Sequence, residues 1–214
     1  MDLFADKVNW AEAFKPLIAK YKDKQHPLDY KNIYQLLVMV VLSAQDSDAN
    51  INKLAPALFQ AFPDMKSLAK ASTEDLLPYV EKIRFHGNKI GWLQDIAATI
   101  QDDKNIPLNM KELTALKGVG RKSANVIMRE AGVQTEGVMC DLHVVRVAPR
   151  LGIARGKDAN KIEKELMEAL PQKMWTEAGM ALSHLGREIC RPSNPKHSEC
   201  VMNQVCEYCR EKNG

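Results

Sequence analysis

The stretch of sequence that decides the fold is Leu113-Thr-Ala-Leu-Lys-Gly-Val-Gly-Arg-Lys-Ser-Ala-Asn-Val-Ile-Met128. It predicts a short helix that runs into Gly118-Val119-Gly120, and a second helix that follows directly. The glycines permit a tight turn and a close backbone approach, with Val119 packed inward and both glycines facing a partner. The positive end of the second helix, together with Arg121, predicts a phosphate site. From the glycines alone, a packing corner between two helices is the commoner interpretation.

Helical spacing of apolar residues continues along most of the chain, as in Trp10–Tyr21, Lys89–Ile100 and Asp158–Leu170. The segment Ile33–Leu42 is apolar almost all round, which is typical of a helix in the middle of a core. Ser72, with Asp75 three residues later, predicts a capped helix start. Convincing alternating strand patterns are missing, so we expect an all-α fold.

The 214 residues correspond to one large domain or two small ones, at roughly 150 residues per domain. Apolar residues make up 45% of the chain, which excludes disorder throughout. The longest apolar run, Leu36–Leu42, is far short of the roughly 18 to 20 residues of a membrane span. The start, MDLFADKVNW, lacks the features of a secretory signal. We therefore expect a cytoplasmic protein.

Positive charge is concentrated in the second half of the chain. Residues 1–110 hold 13 Lys and Arg against 14 Asp and Glu, whereas residues 111–214 hold 17 against 13. An anionic partner is therefore expected to bind the second half.

The cysteines are also concentrated late in the chain. Of the five, Cys140 comes first and the other four lie between residues 190 and 209. A disulfide framework would spread its cysteines across the fold, so a metal or cluster site is the better interpretation. Cys140 is expected to be a small buried apolar residue.

The hairpin string resembles the helix-hairpin-helix of the endonuclease III family of base-excision DNA glycosylases, in which this hairpin grips the DNA backbone. Three other segments, in the family's order, resemble its LSAQ-x-x-D segment, its V-D-T-H-x-x-R-V segment and the start of its cluster loop. They are Leu42–Asp48, Cys140–Val147 and His184–Cys190. The resemblance covers about residues 30–209.

The resemblance implies two helical lobes. One is a bundle with the hairpin, residues 27–136, and the other combines residues 1–26 with residues 137–214 and carries the cluster loop. It further implies a monomer that binds double-stranded DNA, with a damaged base flipped into the cleft between the lobes.

Lys122 and Asp141 match the family's catalytic lysine and aspartate. The positive helix end and Arg121 disfavour a charged ammonium, so we expect a lowered pKa for Lys122. The resemblance implies that this amine forms a Schiff base with the sugar and that the strand is cut by β-elimination. Asp141 would stabilise the oxocarbenium-like sugar and assist proton transfer, although a carboxylate there also suits a helix cap.

Flipping a base leaves a gap that must be filled. Gln45 matches the family's gap-filling glutamine, and Phe85 aligns with its second wedge, usually a leucine in a G-L-Y-like loop. Arg84 and His86 depart from that pattern, in a loop that helps to set lesion preference. Gly118–Arg121 would contact DNA through the hairpin.

The family holds a [4Fe–4S] cluster in C-x6-C-x2-C-x5-C, whereas here the spacing is Cys190-x9-Cys200-x5-Cys206-x2-Cys209. His197 stands where the second cysteine belongs. Three arrangements are open: Cys209 replaces the missing ligand, His197 does so, or the site holds zinc or nothing. We favour the four-cysteine cluster, because the gained cysteine compensates for the lost one. Lys196 in this basic loop is expected to contact the DNA backbone.

Two other functions are consistent with these residues. A monofunctional glycosylase for a different lesion would release its base without a Schiff base, and a non-catalytic protein would use the hairpin only to bind DNA. The presence of both Lys122 and Asp141 argues against the second, because backbone binding needs no such pair.

Overall fold

The structure, a computed structural model, describes residues 8–213 of the 214-residue chain. Its α-helices in chain order are α1 (Trp10–Tyr21), α2 (Ile33–Ser43), α3 (Asp48–Ala61), α4 (Met65–Leu68), α5 (Thr73–Val80), α6 (His86–Ile100), α7 (Met110–Ala115), α8 (Arg121–Glu130), α9 (Leu142–Leu151), α10 (Ala159–Ala169), α11 (Gln172–Glu188) and α12 (Glu207–Asn213). Short 3-10 helices lie at Asp103–Asn105, His197–Glu199 and Asn203–Val205. No strand occurs between residues 8 and 213, so the predicted all-α class is confirmed.

Among these described residues no helix combines the length and apolarity that crossing a membrane requires. Residues 1–7, on which the expectation about a secretory signal rests, lie outside the described residues.

The chain divides into two compact units. We call Gln25–Val133 the bundle unit, and Met1–Lys24 together with Gln134–Gly214 the terminal unit.

Helix α2 forms the centre of the bundle unit and packs against α3, α6 and α8. Every residue from Tyr34 to Leu42 except Gln35 is buried. This explains why its sequence shows no polar face: a helix surrounded by others buries all of its sides. Asn32 caps the helix by accepting a hydrogen bond from the Gln35 backbone N–H at 2.9 Å.

Helix α11 is the centre of the terminal unit and packs against α1 and α9. Close packing depends on Gly179, because a Cβ there would lie 2.6 Å from the Met139 carbonyl oxygen. Gly186 permits the same close packing against His143, because a Cβ on Gly186 would lie 2.8 Å from the Cβ of His143. These contacts bring α11 against the start of α9, where Asp141 lies.

The predicted helix starts are confirmed where a cap was expected. Ser72 and Asp75 form a reciprocal capping box at the start of α5, and Asp158 caps α10 by accepting from the Lys161 backbone N–H at 2.8 Å. Helix α6 begins at His86, three residues before the predicted start at Lys89. Its cap residue, Phe85, is in the left-handed region, a conformation that apolar spacing does not reveal.

Candidate functional site

The helix-hairpin-helix predicted around Gly118–Gly120 is confirmed. Helix α7 ends at Ala115, the turn follows, and α8 begins at Arg121 with Gly120 as its cap residue. Val119 is buried, as its inward packing requires, and its N–H donates to the Leu116 carbonyl at 3.2 Å. Lacking a side chain, Gly120 leaves the start of α8 uncovered on that side.

The two glycines of the turn have different surroundings. A Cβ on Gly120 would meet nothing within 4 Å, whereas a Cβ on Gly118 would lie 2.7 Å from Cε3 of Trp92. Gly118 also has φ of +79°, in the left-handed region that favours glycine. The Cβ side of Gly118 is therefore filled by the Trp92 ring, whereas that of Gly120 is open.

We expect Gly118→Ala to destabilise the protein by about 2 kcal/mol or more, because the new methyl group meets Trp92 at a positive φ. Gly120→Ala is the matched control, since its φ is −92° and its Cβ side is open. Its cost is expected to stay below about 1 kcal/mol. Urea unfolding of both variants measures the difference, and equal losses would contradict this account of the turn.

Lys122 is the second residue of α8, and its side chain is exposed. His26, also in the bundle unit, lies within electrostatic range of it. Burial lowers the pKa of His26 to about 4; Glu130 opposes this shift, and the positive charge of Lys122 adds to it. The Nδ1 atom of His26 accepts a hydrogen bond from the Leu28 backbone N–H at 3.1 Å. A neutral imidazole therefore lies near the amine at neutral pH.

A hydrogen-bonded network adjoins His26. The His26 ring packs edge-on against Tyr30, whose hydroxyl donates to the Glu130 carboxylate, and Arg129 forms an ion pair with the same carboxylate. Burial and the Glu130 hydrogen bond raise the pKa of Tyr30. His26, Tyr30 and Glu130 border a cavity of about 420 Å³ in the bundle unit, which sequence patterns did not reveal.

Gln45 and Phe85 occupy two loops of the bundle unit. Gln45 lies between α2 and α3, and Phe85 immediately precedes α6. Both are exposed and both adopt left-handed backbone conformations, with φ of +58° and +57°. That region costs a residue with a side chain roughly 1–2 kcal/mol. His86 begins α6 and is half-buried.

Asp141 belongs to the terminal unit, where it is the N-cap of α9. One carboxylate oxygen, Oδ1, accepts from the backbone N–H groups of His143 and Val144, each at 2.9 Å. The other, Oδ2, accepts from the hydroxyl of Ser183 at 2.6 Å and lies 4.0 Å from the Arg187 guanidinium. The structure thus holds the carboxylate in one orientation, and the capping role considered from the sequence is confirmed.

The four late cysteines line one cavity of the terminal unit, together with His197. Backbone N–H groups of Met202, and of Tyr208 and Cys209, donate to the sulfurs of Cys200 and Cys206. Burial raises the pKa of both thiols, and the neighbouring cysteines add to the shift. All five cysteines of the chain lie within the described range, and none forms a disulfide.

The metal-ligating groups in this cavity are four cysteine sulfurs and one histidine ring. Zinc sulfur bonds of about 2.3 Å place tetrahedral ligands about 3.8 Å apart. No group of three His, Cys, Asp or Glu side chains among the described residues is arranged to hold a single metal ion. A [4Fe–4S] cluster takes four cysteine thiolates, the same number as the cysteines that line this cavity, so the donor chemistry fits it.

Arg150 braces the cysteine loop from α9. Its guanidinium donates to the carbonyls of Arg191 and Pro192 at 2.7 and 3.0 Å, and lies 3.5 Å from the Cys190 sulfur. The same group stacks 4.7 Å from the ring of Tyr208, on which the His197 ring also stacks. Lys196 is held in an exposed ion pair with Glu199 at 3.2 Å.

Sequence reasoning missed the partners that come from distant segments. Ser183 binds a carboxylate 42 residues earlier, Arg150 braces a loop about 40 residues later, and Trp92 supports a turn 26 residues later. No spacing pattern marks such partners, because only folding brings them together. Arg146 likewise supports structure across the terminal unit, since its guanidinium donates to the carbonyls of Cys190 and Gly186.

Comparisons with known proteins agree with this geometry. Residues 38–172 match the family described as HhH-GPD superfamily base excision DNA repair protein. Endonuclease III of Synechocystis sp. is 36% identical over 181 residues, which are 84% of this chain and 83% of that protein. Endonuclease III of Bacillus subtilis is 36% identical over 183 residues, with the same shares.

Solved structures show the same similarity in three dimensions. A trapped endonuclease III–DNA covalent intermediate matches with a TM-score of 0.84 and 28% identity, covering 97% of this chain and 100% of that one. A non-covalent endonuclease III–DNA complex matches with a TM-score of 0.84 and 29% identity, covering 97% and 99%. The chain therefore belongs to the endonuclease III family, within the HhH-GPD superfamily of base excision DNA repair proteins.

Proposed function

We propose that this chain is a bifunctional DNA glycosylase that removes a damaged base from double-stranded DNA and cleaves the strand at the resulting abasic site. The observation that carries the proposal is the position of Lys122: an exposed amine on the first turn of α8, directly after the glycine turn. Borohydride trapping of the wild-type protein on abasic-site DNA tests it. A covalent adduct is expected, and its absence would overturn the lyase assignment.

In the proposed reaction the neutral amine of Lys122 attacks the sugar C1′, and the bond from C1′ to the base breaks. The departing base takes the proton that the attacking amine loses. The C1′–O4′ bond then breaks as O4′ takes a proton from solvent, which opens the sugar ring and leaves a protonated imine between Lys122 and C1′. Removal of a proton from C2′ then expels the 3′ phosphate. Reduction of the imine by borohydride makes the adduct permanent, which is why trapping reports on this step.

We assign electrostatic stabilisation and proton transfer to Asp141. Its negative charge would stabilise the positive charge that develops on the sugar as the base leaves. The hydrogen bonds from α9 and from Ser183 support this role, because they fix the carboxylate before the substrate binds.

We assign DNA binding to the hairpin and to the two loops of the bundle unit. Gly120, Arg121 and the positive end of α8 would hold a backbone phosphate. Gln45 and Phe85 would fill the gap left by the flipped nucleotide, and their exposure at loop tips supports this. Lys196 would contact the backbone from the cysteine loop. A DNA substrate places the proposed activity at the nucleoid.

We further propose that Cys190, Cys200, Cys206 and Cys209 hold a [4Fe–4S] cluster, and that the bundle and terminal units are the two lobes of the family. The cluster would order the loop that carries Lys196. Support comes from the shared cavity, from the N–H groups that donate to Cys200 and Cys206, and from the Arg150 guanidinium near Cys190.

Cys209→Ser is expected to remove most of the bound iron, because serine replaces one of four thiolate ligands. His197→Ala is the matched control, since its ring lines the same cavity and stacks on Tyr208, and this variant should retain the iron. Visible absorbance and metal analysis of the purified proteins measure both. The reverse pattern would make His197 the ligand, and a colourless protein containing zinc would refute the cluster.

A further inference from the structure

The loops that carry Gln45 and Phe85 are joined by one carboxylate, that of Asp46. Its Oδ2 accepts from the backbone N–H of Arg84 at 2.9 Å. Its Oδ1 accepts from the backbone N–H of Ser47 at 2.8 Å and from the Asn50 amide at 3.1 Å. Asp46 directly follows Gln45 in the sequence, and Arg84, whose N–H it accepts, directly precedes Phe85.

Two further contacts make this connection rigid. The Asn50 amide also donates to the Lys82 carbonyl at 3.4 Å, which ties the first turn of α3 to the loop that carries Phe85. Lys89 is only 1% exposed, and its ammonium donates to the Leu42 carbonyl at 2.8 Å, tying the first turn of α6 to the end of α2. Burial of Asp46 opposes its ionisation. The hydrogen bonds that its carboxylate accepts from Arg84, Ser47 and Asn50, together with the charge of Lys89, nevertheless hold its pKa below the usual value.

The backbone conformations explain why such a connection is needed. Gln45 and Phe85 are both left-handed, with φ of +58° and +57°, a minority conformation for residues that carry a side chain. Such conformations persist only where surrounding contacts determine them. The Arg84 N–H lies in the peptide that joins Ile83 to Arg84, so the Asp46 carboxylate holds the backbone one residue before Phe85.

We propose that Asp46 is a positioning residue that fixes the Phe85 loop against the Gln45 loop and so sets how both side chains enter the DNA duplex. The proposal rests on the function proposed above, in which these two residues fill the gap beside a flipped nucleotide. Asp46 itself touches no reacting atom in it. Removing Asp46 should therefore impair only those steps that need the wedges.

The test compares Asp46→Ala with wild type in single-turnover strand cleavage, using an abasic site in a duplex and in a single strand. A single strand has no opposite base and no stack to open, so it needs no wedge. We expect about a tenfold loss on the duplex and less than about a twofold loss on the single strand. Equal losses on the two substrates would overturn the proposal, because they would indicate general damage to the enzyme.

Two comparisons separate positioning from a purely structural effect. Asp64→Ala removes a carboxylate that accepts from the Ser67 N–H at 2.8 Å within its own capping box, and should leave both rates unchanged. In a background that carries both Gln45→Ala and Phe85→Ala, Asp46→Ala should add less than about a twofold loss, because the side chains it positions are already missing. A full additional loss in that background would contradict the proposal.

A measurement without catalysis keeps this proposal distinct from the proposed function. Hydrogen exchange at the Arg84 amide is expected to be faster in Asp46→Ala than in wild type or Asp64→Ala. Unchanged exchange would overturn the connection, whatever the enzyme does. If wild type forms no borohydride adduct, the lyase function is overturned instead. In that case, the fluorescence of 2-aminopurine placed opposite a tetrahydrofuran site would report insertion of the Gln45 and Phe85 side chains. Asp46→Ala should reduce that insertion.

Discussion

Lys122→Arg is expected to abolish the borohydride-trapped adduct and to slow strand cleavage by at least about 10³-fold. The guanidinium keeps the positive charge at the start of α8 but is not a nucleophile, so DNA binding should persist. Gel analysis of the adduct, single-turnover cleavage and a binding isotherm on abasic-site duplex measure the three quantities. This variant therefore separates the chemistry of the amine from its charge.

The matched control for that substitution is Lys164→Ala. Lys164 is an exposed lysine of α10, and its ion pair with Glu168, at 3.9 Å, carries no part of the proposed mechanism. Its adduct yield should equal that of wild type. An adduct that still forms with Lys122→Arg would refute Lys122 as the nucleophile. If wild type instead releases the base but forms no adduct, the enzyme is a monofunctional glycosylase.

Asp141→Asn is expected to lower the rate of base release about 10²-fold, with a change in unfolding free energy of less than about 1 kcal/mol. Asparagine remains a good N-cap, so its side-chain oxygen can still accept from His143 and Val144. The negative charge, however, is lost. Single-turnover base release and urea unfolding together distinguish loss of charge from loss of the helix cap.

Asp158→Asn provides the control for Asp141→Asn, since Asp158 caps α10 in the same terminal unit through the Lys161 N–H. It changes the same chemical group at a helix start that carries no substrate role. Its base-release rate should match that of wild type. If Asp141→Asn also matched wild type, Asp141 would be a structural cap alone, and a DNA-binding function without catalysis would gain support.

Local features of the site could be predicted from the sequence to within a residue or two. The start of α8 at Arg121 and the caps at Ser72 and Asp158 depend on contacts between residues at most four apart. The spacing of residue types along the sequence predicts such contacts directly. The boundary of α6 was less accurate, because its first residues follow a left-handed cap that no spacing marks.

The family resemblance implied roles for Lys122, Asp141 and the four cysteines, but it did not identify the residues that contact them. Ser183 on the Asp141 carboxylate and Arg150 beside Cys190 come from segments about 40 residues away. Both partners are common residue types at unremarkable positions, so nothing in the linear pattern distinguishes them from exposed polar residues.

The sequence by itself therefore determined the all-α class and the hairpin, because helix periodicity, caps and turns are local. Only the tertiary structure decided that Gly118 faces Trp92, that Asp141 is held by Ser183 and that Asp46 joins the Gln45 and Phe85 loops. These contacts depend on how helices pack within each unit. Packing buries polar groups beside hydrogen-bond partners from distant segments. The linear sequence pattern does not indicate which residues become those partners.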